Sequence, residues 1–313
     1  LITDGEVMIY SSGGSPLLKK ITGSGCALGG VMAIYLTVAS PIIAAFTGAA
    51  IFNCAGSRAA EKFSTPASFK VAFLDELFKI SAADVASSEL QAYLVIGSEN
   101  TEKPVEEVVK AAVMAGFTFV QIRDKNSSAR KIISTLEKCA AVISELGKSS
   151  SVALVVNDRL DIALAAIERG IKVDGVHVGQ SDIPVDVCRK YLGEEKIIGL
   201  SARTENLIDY VKTADVKDID YFGAAPIHAT QTKLDAGLTS DGKFVTHNFD
   251  ELSTLAKISP IPIVAGGGVK FADIPQLAKT KVSGFFVVSA VAGADTPFDA
   301  ASKLVNAWKL NRG

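Results

Sequence analysis

The chain has 313 residues, of which 48% are hydrophobic and 21% charged, and these proportions favour two globular domains over a disordered or fibrous protein. The formal net charge is −2 at pH 7, which argues against a general nucleic-acid-binding protein, because such proteins usually carry a large excess of positive charge. The four cysteines form no CxxC pair, so neither a disulfide framework nor a zinc site is predicted, and a cytoplasmic location is expected.

The first 80 residues predict a short strand at residues 7–10, then a loop and two or three alanine-rich helices. The stretch between Lys20 and Arg58 carries no charge, and Val31 to Phe52 within it is long enough to cross a membrane. However, Pro41 divides it, and two short buried helices explain it as well, so no membrane association is expected. With so little strand, this region is expected to be part of a larger domain, joined to the rest by a small, polar linker at residues 81–89.

After the linker, short apolar runs alternate with helical stretches. The predicted strands begin near Ala92, Phe117, Val152, Gly175, Lys196, Tyr221, Ile261 and Gly284, and the clearest helices lie at 104–114, 129–146, 161–168 and 274–278. This alternation is typical of parallel βαβ units. Eight units within residues 90–313 predict a closed (β/α)₈ barrel. A doubly wound open sheet is the alternative, and it would lack pairing between the first and eighth strands.

Polar residues gather at the carboxyl ends of these strands, where barrel enzymes have their active sites. Gln121, Arg123 and Lys125 alternate along the second strand, so their side chains should face one cavity and suit an anionic ligand. The alternative is a solvated strand end in which Asp124 balances the positive charges. The last strands end in Gly267-Gly268 and Val288-Ser289, whose backbone N–H groups could receive a phosphate.

Two carboxylates also lie at strand ends, Asp158 after the third strand and Asp182 after the fourth. Mg²⁺ usually takes one or two carboxylates together with phosphate and water, so the pair predicts a metal–pyrophosphate site. Each could instead cap the helix that follows it. His177, on the fourth strand, is expected to be a packed residue and not a catalytic base.

The strand-end motifs resemble those of thiamine-phosphate synthase across residues 90–313. In chain order they are Gln-Ile-Arg-Asp-Lys at 121–125, Asn-Asp-Arg at 157–159, Gly-Val-His-Val-Gly-Gln at 175–180, Gly-Leu-Ser at 199–201, Thr-Gln-Thr-Lys at 230–233, Gly-Gly-Val at 267–269 and Val-Ser-Ala at 288–290. That family joins 4-amino-2-methyl-5-hydroxymethylpyrimidine diphosphate to hydroxyethylthiazole phosphate, with Mg²⁺ as cofactor, and releases pyrophosphate. In one departure, this chain has His228-Ala229 where the family often has Phe-Pro.

The resemblance implies a role for each matching residue. Gln121 would hold the pyrimidine, and Ser201 would lie near the reacting methylene group. The pyrophosphate would be bound by Arg123, Lys125, Asn157 and the catalytic Lys233; Mg²⁺ by Asp158 and Asp182; and the thiazole phosphate by Thr230, Thr232, Gly267, Val288 and Ser289. The expected partners are therefore the two phosphorylated precursors, and a homo-oligomer is expected.

Residues 1–80 resemble the C-terminal third of hydroxyethylthiazole kinase, an ATP-dependent family with a ribokinase-like fold. The likeness rests on Ile-Thr-Gly-Ser-Gly-Cys at 21–26, Ala-Ala-Glu at 59–61 and Pro-Ala-Ser-Phe at 66–69. It implies that Cys26 stands near the attacking hydroxyl group. It also implies a bifunctional protein truncated at the N-terminus, with most of the kinase site before Leu1, so these residues alone are expected to be inactive as a kinase.

Two other functions remain as alternatives. One is a different barrel enzyme acting on phosphorylated substrates, but such enzymes usually carry a catalytic lysine or glutamate in an early strand, and Ala92–Ile96 has neither. The other is a non-catalytic sensor of thiamine precursors, and the presence of Asp158, Asp182 and Lys233 argues against it.

Overall fold

The structure is a computed structural model. It describes residues 2–3, 8–9, 14–37, 40–79, 90–149, 151–229, 237, 239 and 242–312. The chain divides into two compact units, Leu1–Ala86 and Ser87–Gly313. Each unit is described by itself.

The first unit is mainly helical. A two-stranded antiparallel ribbon, β1 (Ile2–Thr3) and β2 (Met8–Ile9), precedes helices α1 (Ser24–Tyr35), α2 (Pro41–Lys62) and α3 (Pro66–Lys79). Phe52, Phe69 and Phe73 pack together, and the rings of Phe52 and Phe73 meet edge to face with centroids 4.7 Å apart. The strand and three helices agree with the sequence pattern, and the ribokinase-like fold stays a prediction.

Helix α2 is longer than the short helix expected in the uncharged stretch. Pro41 is its first residue, where the missing proline N–H leaves no hydrogen bond unmade, so the helix continues through Lys62. Over Pro41–Ala60 it is long and apolar enough to cross a membrane by length and composition, with a mean hydropathy of 1.2 and 39% of that window buried.

The second unit is a closed barrel of eight parallel strands. They are β3 (Ala92–Ile96), β4 (Phe119–Ile122), β5 (Ala153–Asn157), β6 (Gly175–Val178), β7 (Ile197–Ser201), β8 (Tyr221–Ala224), β9 (Ile263–Gly266) and β10 (Gly284–Val287). The barrel closes because β10 pairs with β3 in parallel, with Phe285 opposite Ala92. The predicted (β/α)₈ barrel is confirmed, and the open-sheet alternative is wrong.

Helices surround the barrel, and their buried apolar residues share one core with the strands. They are α4 (Val105–Met114), α5 (Ala129–Glu145), α6 (Leu160–Glu168), α7 (Val185–Leu192), α8 (Leu207–Thr213), α9 (Phe249–Ile258), α10 (Ile274–Lys279), α11 (Ser289–Ala292) and α12 (Pro297–Arg312). In α5, Ile132, Leu136, Cys139 and Ile143 recur at helical spacing and are buried. Ser128 caps that helix by accepting a hydrogen bond from the N–H of Lys131.

A layer of side chains fills the barrel interior below the carboxyl ends of the strands. Tyr93, Phe119, Tyr221 and Val264 belong to this layer. The ring of Tyr221 lies directly over Gly199, where a Cβ atom would come within 2.2 Å of the Tyr221 Cζ atom. Glycine at position 199 therefore makes room for a tyrosine inside the barrel, and this layer forms the floor of the cavity described next.

Candidate active site

One cavity of about 560 Å³ opens at the carboxyl ends of the barrel strands. It brings together the predicted site residues that the structure describes in this unit. They are Gln121, Arg123, Lys125, Asn157, Asp158, Asp182, Ser201, Gly267, Val288 and Ser289. The cavity has the size and the mixed polar and apolar lining of a small-molecule site.

Three of the predicted barrel residues cannot be placed. Thr230, Thr232 and Lys233 lie outside the described residues. Their roles as ligands of the thiazole phosphate and the pyrophosphate therefore remain predictions.

Two cations extend from the end of β4 into the cavity. The Nη1 atom of Arg123 lies 3.4 Å from Oε1 of Glu99, and the Nζ atom of Lys125 lies 3.6 Å from Oδ2 of Asp158. Asp124 faces the other way and accepts a hydrogen bond from the Ser98 hydroxyl group at 2.7 Å. Asp124 is thus engaged elsewhere, and the two cations can serve an anionic ligand.

The two predicted metal-binding carboxyl groups converge at the cavity edge. Asp158 follows β5 with a backbone φ of 61°, and its N–H donates to the carbonyl oxygen of His177. Asp182 accepts a hydrogen bond from the N–H of Gly179 at 2.7 Å. Burial, and then the negative charge of Asp182, raise the pKa of Asp158, while Lys125 and Asn157 act in the opposite direction.

Neither carboxyl group caps a helix. Arg159 occupies the N-cap of α6 and Pro184 that of α7, and neither N-cap side chain makes a capping hydrogen bond. Asp158 and Asp182 instead interact with each other at the cavity edge, where their like charges repel.

This carboxylate pair suits a hard divalent cation. Within the described part of the chain, no group of three or more His, Cys, Asp and Glu residues could hold a metal ion. Two carboxylates are the set that Mg²⁺ uses when phosphate oxygens and water complete its coordination. A cation between Asp158 and Asp182 would also relieve the repulsion that raises the pKa of Asp158.

The cavity floor is a continuous row of hydrogen-bonded side chains. In spatial order they are Asn157, Gln121, Tyr93, Tyr221, His177 and Ser201, each joined to the next by polar atoms 2.8–2.9 Å apart. The row crosses the barrel from β5 to β7 and links residues on both sides of the cavity. Its members hold one another in fixed rotamers.

The sequence did not identify three members of this row. His177 was expected to be only a packed residue; it is buried, yet it lines the cavity and both ring nitrogens are hydrogen-bonded. Tyr93 and Tyr221 were read as parts of apolar strands. The alternation along β3 does place Tyr93 and Val95 on one face of the strand. However, only the closure of the barrel shows that this face points inward.

The cavity edge holds another cation that the sequence analysis missed. Arg203 lies two residues after β7, its Nε atom donates to Oε1 of Gln180 at 3.2 Å, and its guanidinium group stacks over the ring of Tyr210. Gln180 in turn donates to the backbone oxygen of Ser201 at 2.7 Å. Its place just beyond a strand end, like that of Arg123 after β4, could have indicated Arg203.

The cavity edge after β9 and β10 is rich in exposed backbone groups. Gly267 and Gly268 have φ angles of 80° and 73°, which only glycine adopts readily. A Cβ atom at Gly267 would also lie 2.8 Å from the Cα atom of Pro226. Val288 is the N-cap residue of α11, and Ser289 is its first helical residue. The site therefore combines a side that carries cations and carboxylates with an edge where the backbone can approach a ligand closely.

Cys26 belongs to the first unit and lies in the first turn of α1. Gly23 is the N-cap residue with a φ of 88°, and no side chain caps the helix there. Cys26 itself is exposed. The Gly-Ser-Gly-Cys motif thus opens a helix whose first N–H groups have no side-chain cap.

The barrel is closed and parallel, and one cavity at the carboxyl ends of its strands contains cations, a pair of carboxylates and glycine backbone that a ligand can approach closely. These features define a TIM-barrel enzyme site for an anionic substrate. Residues 92–291 match the family model described as thiamine monophosphate synthase. The chain belongs to the thiamine monophosphate synthase family.

Relatives of known name extend this result. Thiamine-phosphate synthase of Vibrio campbellii is 37% identical over 68% of this chain and 95% of its own length. Thiamine phosphate pyrophosphorylase from Pyrococcus furiosus has a similar structure, with a TM-score of 0.60 and 26% identity over 72% of this chain and 99% of that one. Both likenesses cover lengths that fit the barrel unit.

The first unit matches a second family. Residues 1–83 match the model of the hydroxyethylthiazole kinase family. The protein of Symbiobacterium thermophilum called "Thiamine biosynthesis bifunctional protein ThiM/ThiE" is 29% identical over 100% of this chain, which spans 64% of that relative. The order of the two family regions along the chain is the order expected from the sequence motifs.

Proposed function

We propose that residues 87–313 are a thiamine-phosphate synthase. They would join the pyrimidine diphosphate to hydroxyethylthiazole phosphate, giving thiamine phosphate and pyrophosphate. The observation that carries the proposal is that Arg123, Lys125, Asp158 and Asp182 face one cavity in a chain of this family.

Departure of the pyrophosphate is the step that these residues serve. As the C–O bond to the methylene carbon breaks, its electron pair leaves with the pyrophosphate oxygen, and the aminopyrimidine ring supplies electron density to the carbon. Arg123 and Lys125, with the predicted Lys233, would neutralise the leaving anion. Mg²⁺ held by Asp158 and Asp182 would supply further positive charge there.

The second step forms the bond to the thiazole ring. The thiazole nitrogen attacks the methylene carbon, so no nucleophile from the protein is required. The thiazole phosphate would be held at the cavity edge after β9 and β10 by Gly267, Val288 and Ser289, with the predicted Thr230 and Thr232. The cations follow β4 and the glycine turn follows β9, three strands away around the barrel, and this separation supports a division into two anion sites.

A different phosphate-binding barrel enzyme fits the geometry less well. The two inward residues Tyr93 and Val95 offer no lysine or glutamate on β3. A non-catalytic sensor would not need two carboxyl groups held together beside the cationic row, where burial and the charge of Asp182 raise the pKa of Asp158. Both alternatives are therefore disfavoured by residues at the site itself.

We further propose that residues 1–83 belong to an ATP-dependent hydroxyethylthiazole kinase domain. Its product, the thiazole phosphate, would be a substrate of the barrel. The uncapped start of α1 at Ser24, with Cys26 exposed in its first turn, supports this assignment because helix N-termini bind phosphate groups.

One assay tests the main proposal. The purified protein is incubated with both substrates and Mg²⁺, and thiamine phosphate and pyrophosphate are measured. Equal amounts of the two products are expected, and each should be lost when either substrate or Mg²⁺ is left out. Asp182→Asn is the matched negative control, and no product from the wild-type protein under any Mg²⁺ concentration would contradict the proposal.

A further inference from the structure

The hydrogen-bonded row across the cavity floor has a defined direction. It begins at Asn157, whose Oδ1 atom accepts a hydrogen bond from Nε2 of Gln121 at 2.8 Å. The amide of Gln121 is therefore oriented with its Oε1 atom on the other side, where it accepts from the hydroxyl group of Tyr93 at 2.9 Å. Because a phenol has a single proton, Tyr93 has none left to donate to its next neighbour.

The same direction of hydrogen-bond donation continues through the two tyrosines. The hydroxyl oxygens of Tyr93 and Tyr221 lie 2.9 Å apart, so Tyr221 must be the donor of that bond. Burial raises the pKa of both phenols, which keeps each one protonated and able to donate. Once Tyr221 has used its proton on Tyr93, its oxygen can only accept from the next residue in the row.

That next residue is His177. Its Nδ1 atom lies 2.9 Å from the Tyr221 hydroxyl oxygen, and its Nε2 atom lies 2.9 Å from Oγ of Ser201. In a neutral imidazole one ring nitrogen donates and the other accepts. Since Tyr221 can only accept, Nδ1 carries the proton and Nε2 accepts from the Ser201 hydroxyl group.

We propose that Tyr93, Tyr221 and His177 are positioning residues that fix His177 as the Nδ1–H tautomer and turn Ser201 into a hydrogen-bond acceptor toward the cavity. The Ser201 proton is directed at His177, so the lone pairs of its oxygen face the ligand. A ligand that binds at this point must present a donor.

This inference deepens the proposed function and rests on it for the identity of the ligand. The exocyclic amino group of an aminopyrimidine is a donor and satisfies Ser201. A ring with a carbonyl oxygen at the same position would place two acceptors together, which leaves a buried polar group unsatisfied. The row thus selects an amino-substituted ring over its oxo analogue.

The tautomer can be observed directly by ¹⁵N NMR of histidine-labelled protein. The chain has only three histidines, and a His177→Gln variant assigns the signals. At the alkaline end of a pH series, where the imidazole is neutral, Nδ1 of His177 should carry the proton. A proton on Nε2 in the wild-type protein would overturn the proposal, because the row would then run in the opposite direction.

A variant at a distance tests whether the row sets the tautomer. Tyr93 is not hydrogen-bonded to His177 but lies one link beyond Tyr221. In Tyr93→Phe, Tyr221 loses its acceptor and can donate to Nδ1 of His177, so the proton should move to Nε2. Tyr191→Phe, at an exposed tyrosine on α7, is the matched control and should leave the tautomer unchanged.

Retention of the Nδ1 proton in Tyr93→Phe, or a shift in Tyr191→Phe as well, would show that the row does not set the tautomer. Tyr221→Phe provides a second, independent break in the same row. The NMR measurements do not depend on turnover. If the expected tautomers are observed in a protein without synthase activity, the inference about the row holds and only the proposed function is contradicted.

Kinetics supply the readout for ligand selection. In Tyr93→Phe, the KM for the aminopyrimidine diphosphate should rise by about two- to tenfold, the effect of one altered hydrogen bond, while the KM for the thiazole phosphate stays unchanged. Discrimination against the oxo analogue should fall by a similar factor. An equal loss for both substrates, with unaltered discrimination, would contradict the selection by Ser201.

Discussion

At the scale of single residues, Asp158 combines features that an ordinary structural residue would avoid. Its backbone has a φ of 61°, its carboxyl group is partly buried, and this burial together with the charge of Asp182 raises its pKa. A strained backbone conformation of this kind usually persists only at functional sites. The residue therefore connects the strained end of β5 to the proposed binding of Mg²⁺.

Replacing Asp158 by asparagine should separate stability from function. Because the folded-state pKa is raised, the wild-type protein loses stability as the pH rises from the ordinary range of an aspartate through that raised pKa. In buffer without Mg²⁺ at neutral pH, Asp158→Asn should thus have a higher Tm than the wild type, and the gap should shrink on acidification. Asparagine also tolerates the positive φ.

Added Mg²⁺ should reverse this order. It should raise the Tm of the wild-type protein by binding to the folded state and leave that of Asp158→Asn unchanged, and the variant should lose most synthase activity. Asp295→Asn, at an exposed loop position, is the matched control. A variant with wild-type activity and a normal Mg²⁺-dependent Tm would exclude Asp158 as a metal ligand.

Lys125 should contribute more to the departure of pyrophosphate than to the binding of the substrate. Losing a charge-assisted contact typically costs about 1.5–3 kcal/mol, so Lys125→Ala should lower kcat roughly ten- to a hundredfold at about 1.4 kcal/mol per decade. The loss should appear in kcat if the contact strengthens as pyrophosphate departs. Lys110→Ala, exposed on α4, is the control.

Steady-state kinetics with each substrate varied in turn would decide the assignment of Lys125. The predicted Lys233 should behave like Lys125 when replaced by alanine, whereas Thr232→Ala should raise mainly the KM for thiazole phosphate. If Lys125→Ala instead raises only that KM, the two phosphate sites have been exchanged.

At the scale of elements, strand positions could be predicted closely, because strands buried on both faces are continuous apolar runs bounded by polar or small residues. Gly175–Val178 is the clearest case, since the predicted and observed strands coincide. The second strand was expected from Phe117 and begins at Phe119, since pairing with both neighbours, and not apolarity alone, defines where a strand starts.

The turn after β9 should be both a structural and a ligand-binding element. Gly267→Ala would force a positive φ on alanine, at a cost of about 1–2 kcal/mol, and would bring its Cβ atom within 2.8 Å of Pro226. We expect a lower midpoint of denaturation and a higher KM for the thiazole phosphate.

Gly170→Ala is a control of the same conformation. Gly170 has a φ of 73°, but a Cβ atom there would meet nothing within 4 Å. It should lose stability from the backbone strain alone and keep its activity. If both variants lose activity equally, the effect of Gly267→Ala arises from general destabilisation and not from the phosphate site.

At the scale of the whole molecule, the barrel should work without the first unit. All eight strands of residues 87–313 are paired in the closed barrel, and the Vibrio campbellii synthase aligns over 95% of its length with 68% of this chain. A fragment of residues 87–313 should therefore unfold cooperatively and retain synthase activity within a few-fold of the full chain. Aggregation, or a fragment that is folded but inactive, would contradict this expectation.

The sequence by itself determined the barrel and most of the described site, because both depend on local patterns. Alternation of strands and helices predicts parallel units, and side chains just after each strand, such as Arg123 and Asp158, must meet at one end of the barrel. Tertiary structure alone decided the row formed by Tyr93, Tyr221 and His177. Those residues are 128 and 44 positions apart along their hydrogen-bonded links, so their contacts exist only after barrel closure brings the inward faces of separate strands together.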